Sequence, residues 1–137
     1  MIARGRDAVI LDHGPGLVLR QPLETRRMDR EAEVMRWVHE RGYPSARLVE
    51  LTSHGLVMQR VDGPTMLQDL MRRPQRAREH MHTIADLHQR PHRLPLPKGL
   101  DQPFGTGDAL LHADLHPDNV LARVTRLVAR AGRSGGL

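Results

Sequence analysis

"LLHADLHPDNVL", residues 110–121, places two histidines, two aspartates and one asparagine within eight positions, between two apolar ends. Such a density of coordinating side chains on one short stretch fits two kinds of chemistry. One is a cluster that holds a metal ion for hydrolysis, and the other is the catalytic loop of a phosphoryl-transfer enzyme. The rest of the sequence has to decide between them.

The spacing of His112, Asp114 and Asn119 is H-x-D-x-x-x-x-N, the pattern of a kinase catalytic loop. A carboxylate is needed there to orient the attacking hydroxyl and to accept its proton. An amide oxygen five residues later ligates Mg²⁺ without adding a full negative charge beside the phosphates. We therefore predict Asp114 as the catalytic base, Asn119 as a Mg²⁺ ligand and His112 as a support of the loop.

The alternative metal site uses His112, Asp114 and His116 as an H-x-D-x-H ligand set. Alternate residues of an extended segment lie on one side of the chain, so these three side chains could share one ion in a metal-dependent hydrolase. The set lacks a convincing distant partner, because His80 and His82 fall on a helix pattern that we predict to be exposed. The sequence favours the phosphoryl-transfer interpretation.

The composition is that of a globular domain, with 137 residues of which 39% are hydrophobic and 27% charged. The absence of cysteine excludes thiolate metal sites and suits a cytoplasmic protein. We find neither a secretion signal nor a run of about 20 apolar residues that would span a membrane. The net charge of +5 comes almost entirely from scattered arginines, and only 2% of the residues are aromatic, which does not favour nucleic acid as a partner.

The first half of the chain alternates short apolar runs with one helical pattern. Apolar runs at 7–11 and 17–20 flank a Gly/Pro turn and predict a hairpin, and runs at 47–51 and 56–61 predict a second one. Between them, apolar residues recur at intervals of three and four and predict a helix over 29–41. This order predicts an antiparallel sheet of four or five strands with one helix packed against it.

Two further helices are predicted before the catalytic-loop segment. Thr65 and Gln68 have the spacing of a capping box and begin a short helix that Pro74 ends. A second, amphipathic helix covers 75–90. We predict that its buried face consists of Ala77, Met81, Ile84, Ala85 and His88. A connector rich in proline and glycine follows.

The stretch "HADLHPDN" resembles the catalytic loop of the aminoglycoside phosphotransferase family, small-molecule kinases related in fold to protein kinases. The resemblance covers residues 1 to about 121, with the motifs in the family's order. It implies an α+β, protein-kinase-like fold with a nucleotide-binding sheet lobe (1–62), a partial helical lobe carrying the catalytic loop (63–121) and an atypical tail (122–137). It also implies ATP and Mg²⁺ as cofactors and a small-molecule hydroxyl as the phosphate acceptor.

The resemblance assigns roles to residues of the first lobe. Gly5 lies in "GRDAVILDHGPGLVLR", which resembles the first strands, and would belong to the turn that covers the nucleotide. Arg20, at the end of "LVLR", stands where the family has a phosphate-contacting cation, and Glu31 of "REAEVMRW" resembles the helix glutamate that pairs with it. "LVMQRVDG" resembles the hinge, whose backbone around Gln59 to Val61 would bind the edge of adenine.

The tail departs from what the resemblance implies. An apolar strand ending in a second Mg²⁺-binding aspartate should follow the loop, but no Asp or Glu occurs after Asp118, and the later helices of the larger lobe are missing. We therefore expect impaired turnover, and a nucleotide-binding pseudo-kinase is a further alternative. We also predict that the tail after Leu121 has no packing pattern and arises from a frameshift or deletion, and that the uncovered apolar face of the helix at 75–90 favours self-association.

Overall fold

The computed structural model describes residues 1–4, 8–24, 28–96, 120–122 and 127–129. Within these ranges the chain has an α+β fold, in which an antiparallel sheet is followed by a small helical unit. None of the helices in the described ranges is both long enough and apolar enough to cross a lipid bilayer.

The sheet has five antiparallel strands in the order β1-β2-β3-β5-β4. They are β1 (Ala3–Arg4), β2 (Ala8–Asp12), β3 (Leu17–Pro22), β4 (Leu48–Leu51) and β5 (Leu56–Gln59). Both predicted hairpins are confirmed, because β2 pairs with β3 and β4 pairs with β5. Strand β1 was not predicted, since two residues are too few to display an alternating pattern. Strand β3 is held on both sides, by β2 and by β5.

Helix α1 (Met28–Glu40) lies in the connection between β3 and β4 and packs against the sheet, as predicted. It buries Ala32 and Met35, whose relative exposures are 0% and 4%. Together with residues of β4, β5 and the segment before β4, they form what we call the sheet cluster. Its buried members are Ala32, Met35, Ala46, Leu48, Leu56 and Met58.

The end of α1 is a Schellman motif. Gly42 has a φ of +83°, a left-handed conformation that glycine adopts without steric cost. Its N–H donates to the His39 carbonyl at 3.0 Å, and the N–H of Tyr43 donates to the Val38 carbonyl at 2.9 Å. Val38 also packs against the buried cluster that contains Tyr43, and an apolar contact between these two positions commonly accompanies this motif.

The helical unit consists of α2 (Met66–Arg72) and α3 (Ala77–Gln89). A 3₁₀ turn at Pro74–Arg76 precedes α3, and another at Arg90–Arg93 follows it. The predicted capping box is confirmed. The Thr65 hydroxyl accepts from the Gln68 N–H at 3.1 Å, and the Gln68 side-chain oxygen accepts from the Thr65 N–H at 3.0 Å. Tyr43, Met66, Leu87 and Val120 are buried together in what we call the helix cluster.

The predicted buried face of α3 is correct only at Ile84, which packs against the helix cluster. Met81 is 73% exposed, and Ala77, Ala85 and His88 are exposed as well. The face that packs inward consists of His80, Ile84 and Leu87, at positions i, i+4 and i+7. His80 was expected to be exposed, but it is 1% exposed because Asp69 of α2 binds its ring. The contact of His80 with Asp69 therefore favours the orientation in which this side of α3 faces the interior.

The segment after the catalytic-loop sequence forms a small hairpin of β6 (Val120–Ala122) and β7 (Leu127–Ala129). The strand at 127–129 was not predicted from the sequence. Two apolar triplets separated by a short link are sufficient to pair. Val120 is completely buried in the helix cluster, and Leu121 makes an isolated antiparallel bridge to Thr65.

Candidate functional site

Arg20 and Glu31 form an ion pair between the central strand β3 and the first turn of α1. Arg20 Nη1 donates to Glu31 Oε1, and the two side chains are only 12% and 14% exposed. The contact that the resemblance implies between these residues is present. Their role in binding phosphate stays a prediction.

The pair leaves part of the guanidinium available. An arginine has five N–H donors in a planar fork, and Glu31 engages one nitrogen of Arg20. Nε and Nη2 have no hydrogen-bond partner within the described ranges. A carboxylate that holds one side of the fork fixes its orientation, and the remaining donors suit the oxygens of a phosphate. This arrangement fits the anionic part of a nucleotide.

The backbone of Arg20 is fixed by the close approach of Gly55, at the turn between β4 and β5. A Cβ atom at position 55 would lie 2.4 Å from the Arg20 carbonyl oxygen. No other residue type fits there without displacing one of the two backbones. Arg20 also pairs in register with Ile10 on one side and Leu56 on the other. The sheet therefore determines where the cation lies.

The predicted hinge around Gln59 to Val61 has two of its three N–H groups engaged. The N–H of Gln59 donates to the Arg47 carbonyl and that of Arg60 donates to the Gly16 carbonyl, both at 2.8 Å. The N–H of Val61 makes no hydrogen bond with any other described residue. If this segment binds an adenine edge, Val61 is the backbone donor that remains for it.

The remaining predicted site residues, Gly5, His112, Asp114, His116 and Asn119, lie outside the described residues. The closest described position in sequence is Val120, which directly follows Asn119 and is buried against α2 and α3. Leu121 bridges Thr65, a few residues beyond the hinge. The end of the catalytic-loop sequence is therefore tied to the segment that leads from the sheet into α2.

The described ranges contain no group of three or more His, Cys, Asp or Glu side chains placed to hold a metal ion. The metal set of His112, Asp114 and His116, and the Mg²⁺ ligand Asn119, fall outside these ranges and are not tested by this finding.

A buried polar network between α2 and α3 was missed by the sequence analysis. Asp69 is 1% exposed and accepts from Arg73 Nε at 2.9 Å and from Arg76 Nη1 at 2.7 Å. His80 Nε2 lies 2.7 Å from Asp69 Oδ2. Burial raises the pKa of Asp69, but the hydrogen bonds from His80 and Arg73 and the charges of Arg73 and Arg76 outweigh it, so that this pKa lies below its ordinary value.

This network has a structural rather than a catalytic character. Each carboxylate oxygen of Asp69 already accepts hydrogen bonds, and the histidine beside it is as buried as the carboxylate. No substrate can reach such a pair without α2 and α3 separating. The sequence signal that could have found it is the pair Asp69 and Arg73 at i, i+4, followed by a histidine on the next helix.

Comparison with protein-family models gives no match for this chain, and comparison with curated proteins gives none either.

Proposed function

We propose that the chain binds ATP with Mg²⁺ through a protein-kinase-like sheet lobe, and that it is related to phosphotransferases that act on a hydroxyl of a small molecule. The observation that supports this best is the Arg20–Glu31 pair, in which a cation on the central strand is held by a glutamate from the helix between β3 and β4. An antiparallel sheet of four or five strands with one packed helix is what the resemblance implies.

The chemistry follows from the positions of the charges. ATP brings several negative charges on its phosphates. Arg20 offers N–H donors that none of the described residues engages, beside a carboxylate that keeps the guanidinium in place. Val61 offers a backbone donor for the base. Asn119 would hold Mg²⁺, which supplies charge neutralisation when it is bound, and Asp114 would orient the acceptor hydroxyl and take its proton.

The experiment is titration calorimetry of the purified chain with Mg·ATP. Arg20→Gln should weaken binding by about tenfold or more, since a hydrogen bond to a charged group contributes roughly 1.5–3 kcal/mol. Arg90→Gln is the matched control, because Arg90 forms an exposed ion pair with Asp86 of α3. Affinity that is equal in the two variants, or no binding by the wild-type chain, would refute the proposal.

A pseudo-kinase without turnover is the second candidate, favoured by the sequence around β7. The apolar strand Leu127–Ala129 is followed directly by Arg130, where the resemblance implies an aspartate. Phosphoryl transfer uses such a carboxylate to hold Mg²⁺ across the phosphates. We expect ATP hydrolysis at the background rate, unchanged in Asp114→Ala. Robust hydrolysis that is lost in Asp114→Ala would instead support the active phosphotransferase.

A further inference from the structure

Helix α1 contacts both parts of the fold. Its first half, which carries Glu31, packs through Ala32 and Met35 into the sheet cluster. Its second half packs through Val38 against the helix cluster. The helix that holds the candidate phosphate-binding pair is therefore also in contact with the helical unit.

Tyr43 makes the first specific link between α1 and the helical unit. Tyr43 is the last residue of the Schellman motif of α1. It is 6% exposed, and its hydroxyl donates to the Leu87 carbonyl of α3 at 3.1 Å. Burial raises the pKa of Tyr43 to about 12, so the hydroxyl keeps its proton at neutral pH. Because the Tyr43 N–H also closes α1, this residue ties the end of α1 to α3.

Trp37, six residues earlier and within α1, makes the second link. Its indole N–H donates to the Pro95 carbonyl at 3.0 Å, beyond the 3₁₀ turn that follows α3. The Arg41 guanidinium lies 3.2 Å from the centre of the indole ring and donates to the Trp37 carbonyl at 3.1 Å. The stacked arginine holds the ring in the orientation that this hydrogen bond needs.

We propose that Tyr43 and Trp37 are positioning residues: by fixing the second half of α1 to the helical unit, they set the place of Glu31 and so the orientation of Arg20. The inference rests on the proposed function. An α-helix behaves as a stiff rod over its three or four turns, so loss of anchorage at one end displaces the other. Neither residue needs to touch the nucleotide.

The test is a double-mutant cycle on Mg·ATP affinity, with Tyr43→Phe and Glu31→Gln. Tyr43→Phe keeps the ring and removes one hydrogen bond, and we expect binding about two- to tenfold weaker. If Tyr43 acts through Glu31, the double variant should bind no more weakly than Glu31→Gln alone. Fully additive losses would overturn the inference. Trp37→Phe should behave in the same way.

A second measurement does not depend on nucleotide binding. Tyr43→Phe should accelerate amide hydrogen exchange in the first half of α1, around residues 29–36, although position 43 lies beyond the other end of the helix. Thr83→Val is the matched control, because it removes an exposed hydroxyl bond to the Glu79 carbonyl within α3. Acceleration confined to 38–45 and 84–90 would refute the positioning role. If the wild-type chain failed to bind Mg·ATP, the proposed function would fall while this result still decided the link.

Discussion

Gly55 matters for the candidate site because it has no Cβ atom, which allows its backbone to approach that of Arg20. Its backbone lies against the carbonyl of Arg20, and a Cβ atom there would approach that oxygen to 2.4 Å. Both contacting groups are backbone, of strand β3 and of the turn before β5, so neither can rotate away as a side chain would. The position of the Arg20 guanidinium thus depends on a glycine 35 residues later in the sequence.

We predict that Gly55→Ala lowers both stability and Mg·ATP affinity. Forcing an atom into this contact should cost roughly 1–3 kcal/mol, the usual range for overpacking, and should shift the strand end that carries Arg20. Urea unfolding and calorimetric titration measure the two effects. Gly14→Ala is the control, because Gly14 also has a positive φ, of +94°, but a Cβ there would meet no atom within 4 Å. An equal loss of affinity in both variants would show that Gly55 has no special relation to Arg20.

Asp69 makes the stability of the fold sensitive to acid. Its pKa in the folded protein is lowered below the ordinary value of 3.8, because hydrogen bonds and arginine charges outweigh the effect of burial. The unfolded chain therefore takes up the proton first as the pH falls. The stabilisation from this group is complete above the unfolded pKa and is lost as the pH decreases through the folded pKa.

We expect the melting temperature to decrease when the pH is lowered below about 4. The decrease should be steeper than in Asp69→Asn, which cannot ionise at this position. Asp69→Asn should also be less stable than the wild type at neutral pH, since it leaves Arg73, Arg76 and His80 around a neutral amide. Asp86→Asn, in an exposed pair with Arg90, is the control for removal of a carboxylate on the helical unit. If the profile of Asp69→Asn matched that of the wild type, another carboxylate would be responsible.

At the scale of single elements, the sequence predicted the helices and hairpins whose formation depends on residues close to one another in the chain. The hairpins follow from apolar runs beside Gly/Pro turns, α1 from its apolar spacing, and the start of α2 from Thr65 and Gln68. The orientation of α3 could not be predicted in this way. It depends on His80, which a pattern of apolar residues predicts to be exposed. In the structure His80 is buried because its ring bonds to Asp69, 11 residues earlier on another helix.

The capping box gives a prediction for α2. Thr65→Ala removes the hydroxyl that accepts from the Gln68 N–H, and loss of an N-cap costs about 1 kcal/mol. Thr65 is also buried and bridged to Leu121, so the variant should loosen β6 as well. Chemical denaturation measures the first effect, and hydrogen exchange at 120–122 measures the second. Thr83→Ala, at a half-buried position inside α3 and away from the cap of α2, should change neither. A variant as stable as the wild type would contradict the contribution of the cap.

At the scale of the molecule, the candidate site depends on contacts that no local pattern contains. The resemblance implied the contact of Arg20 with Glu31, 11 residues apart, because strand and helix motifs occur in a known order. The link from Tyr43 to Leu87 spans 44 residues and joins two elements that the sequence predicted separately. Only the packing of the sheet cluster and the helix cluster around α1 brings these elements together.

Because α1 packs against both the sheet cluster and the helix cluster, we predict that the two clusters unfold together. Leu56→Ala in the sheet cluster and Leu87→Ala in the helix cluster should each cost about 2–5 kcal/mol, because both side chains are almost fully buried. Trp37, the single tryptophan of the chain, reports on α1 by fluorescence, while far-UV circular dichroism reports on all helices and strands. In each variant, both signals should shift to the same lower urea midpoint. Met71→Ala is the control and should leave both midpoints unchanged, because that side chain is 78% exposed. If one cluster melted at a lower urea concentration than the other, α1 would not couple them, and a displacement at Tyr43 would have no route to Glu31.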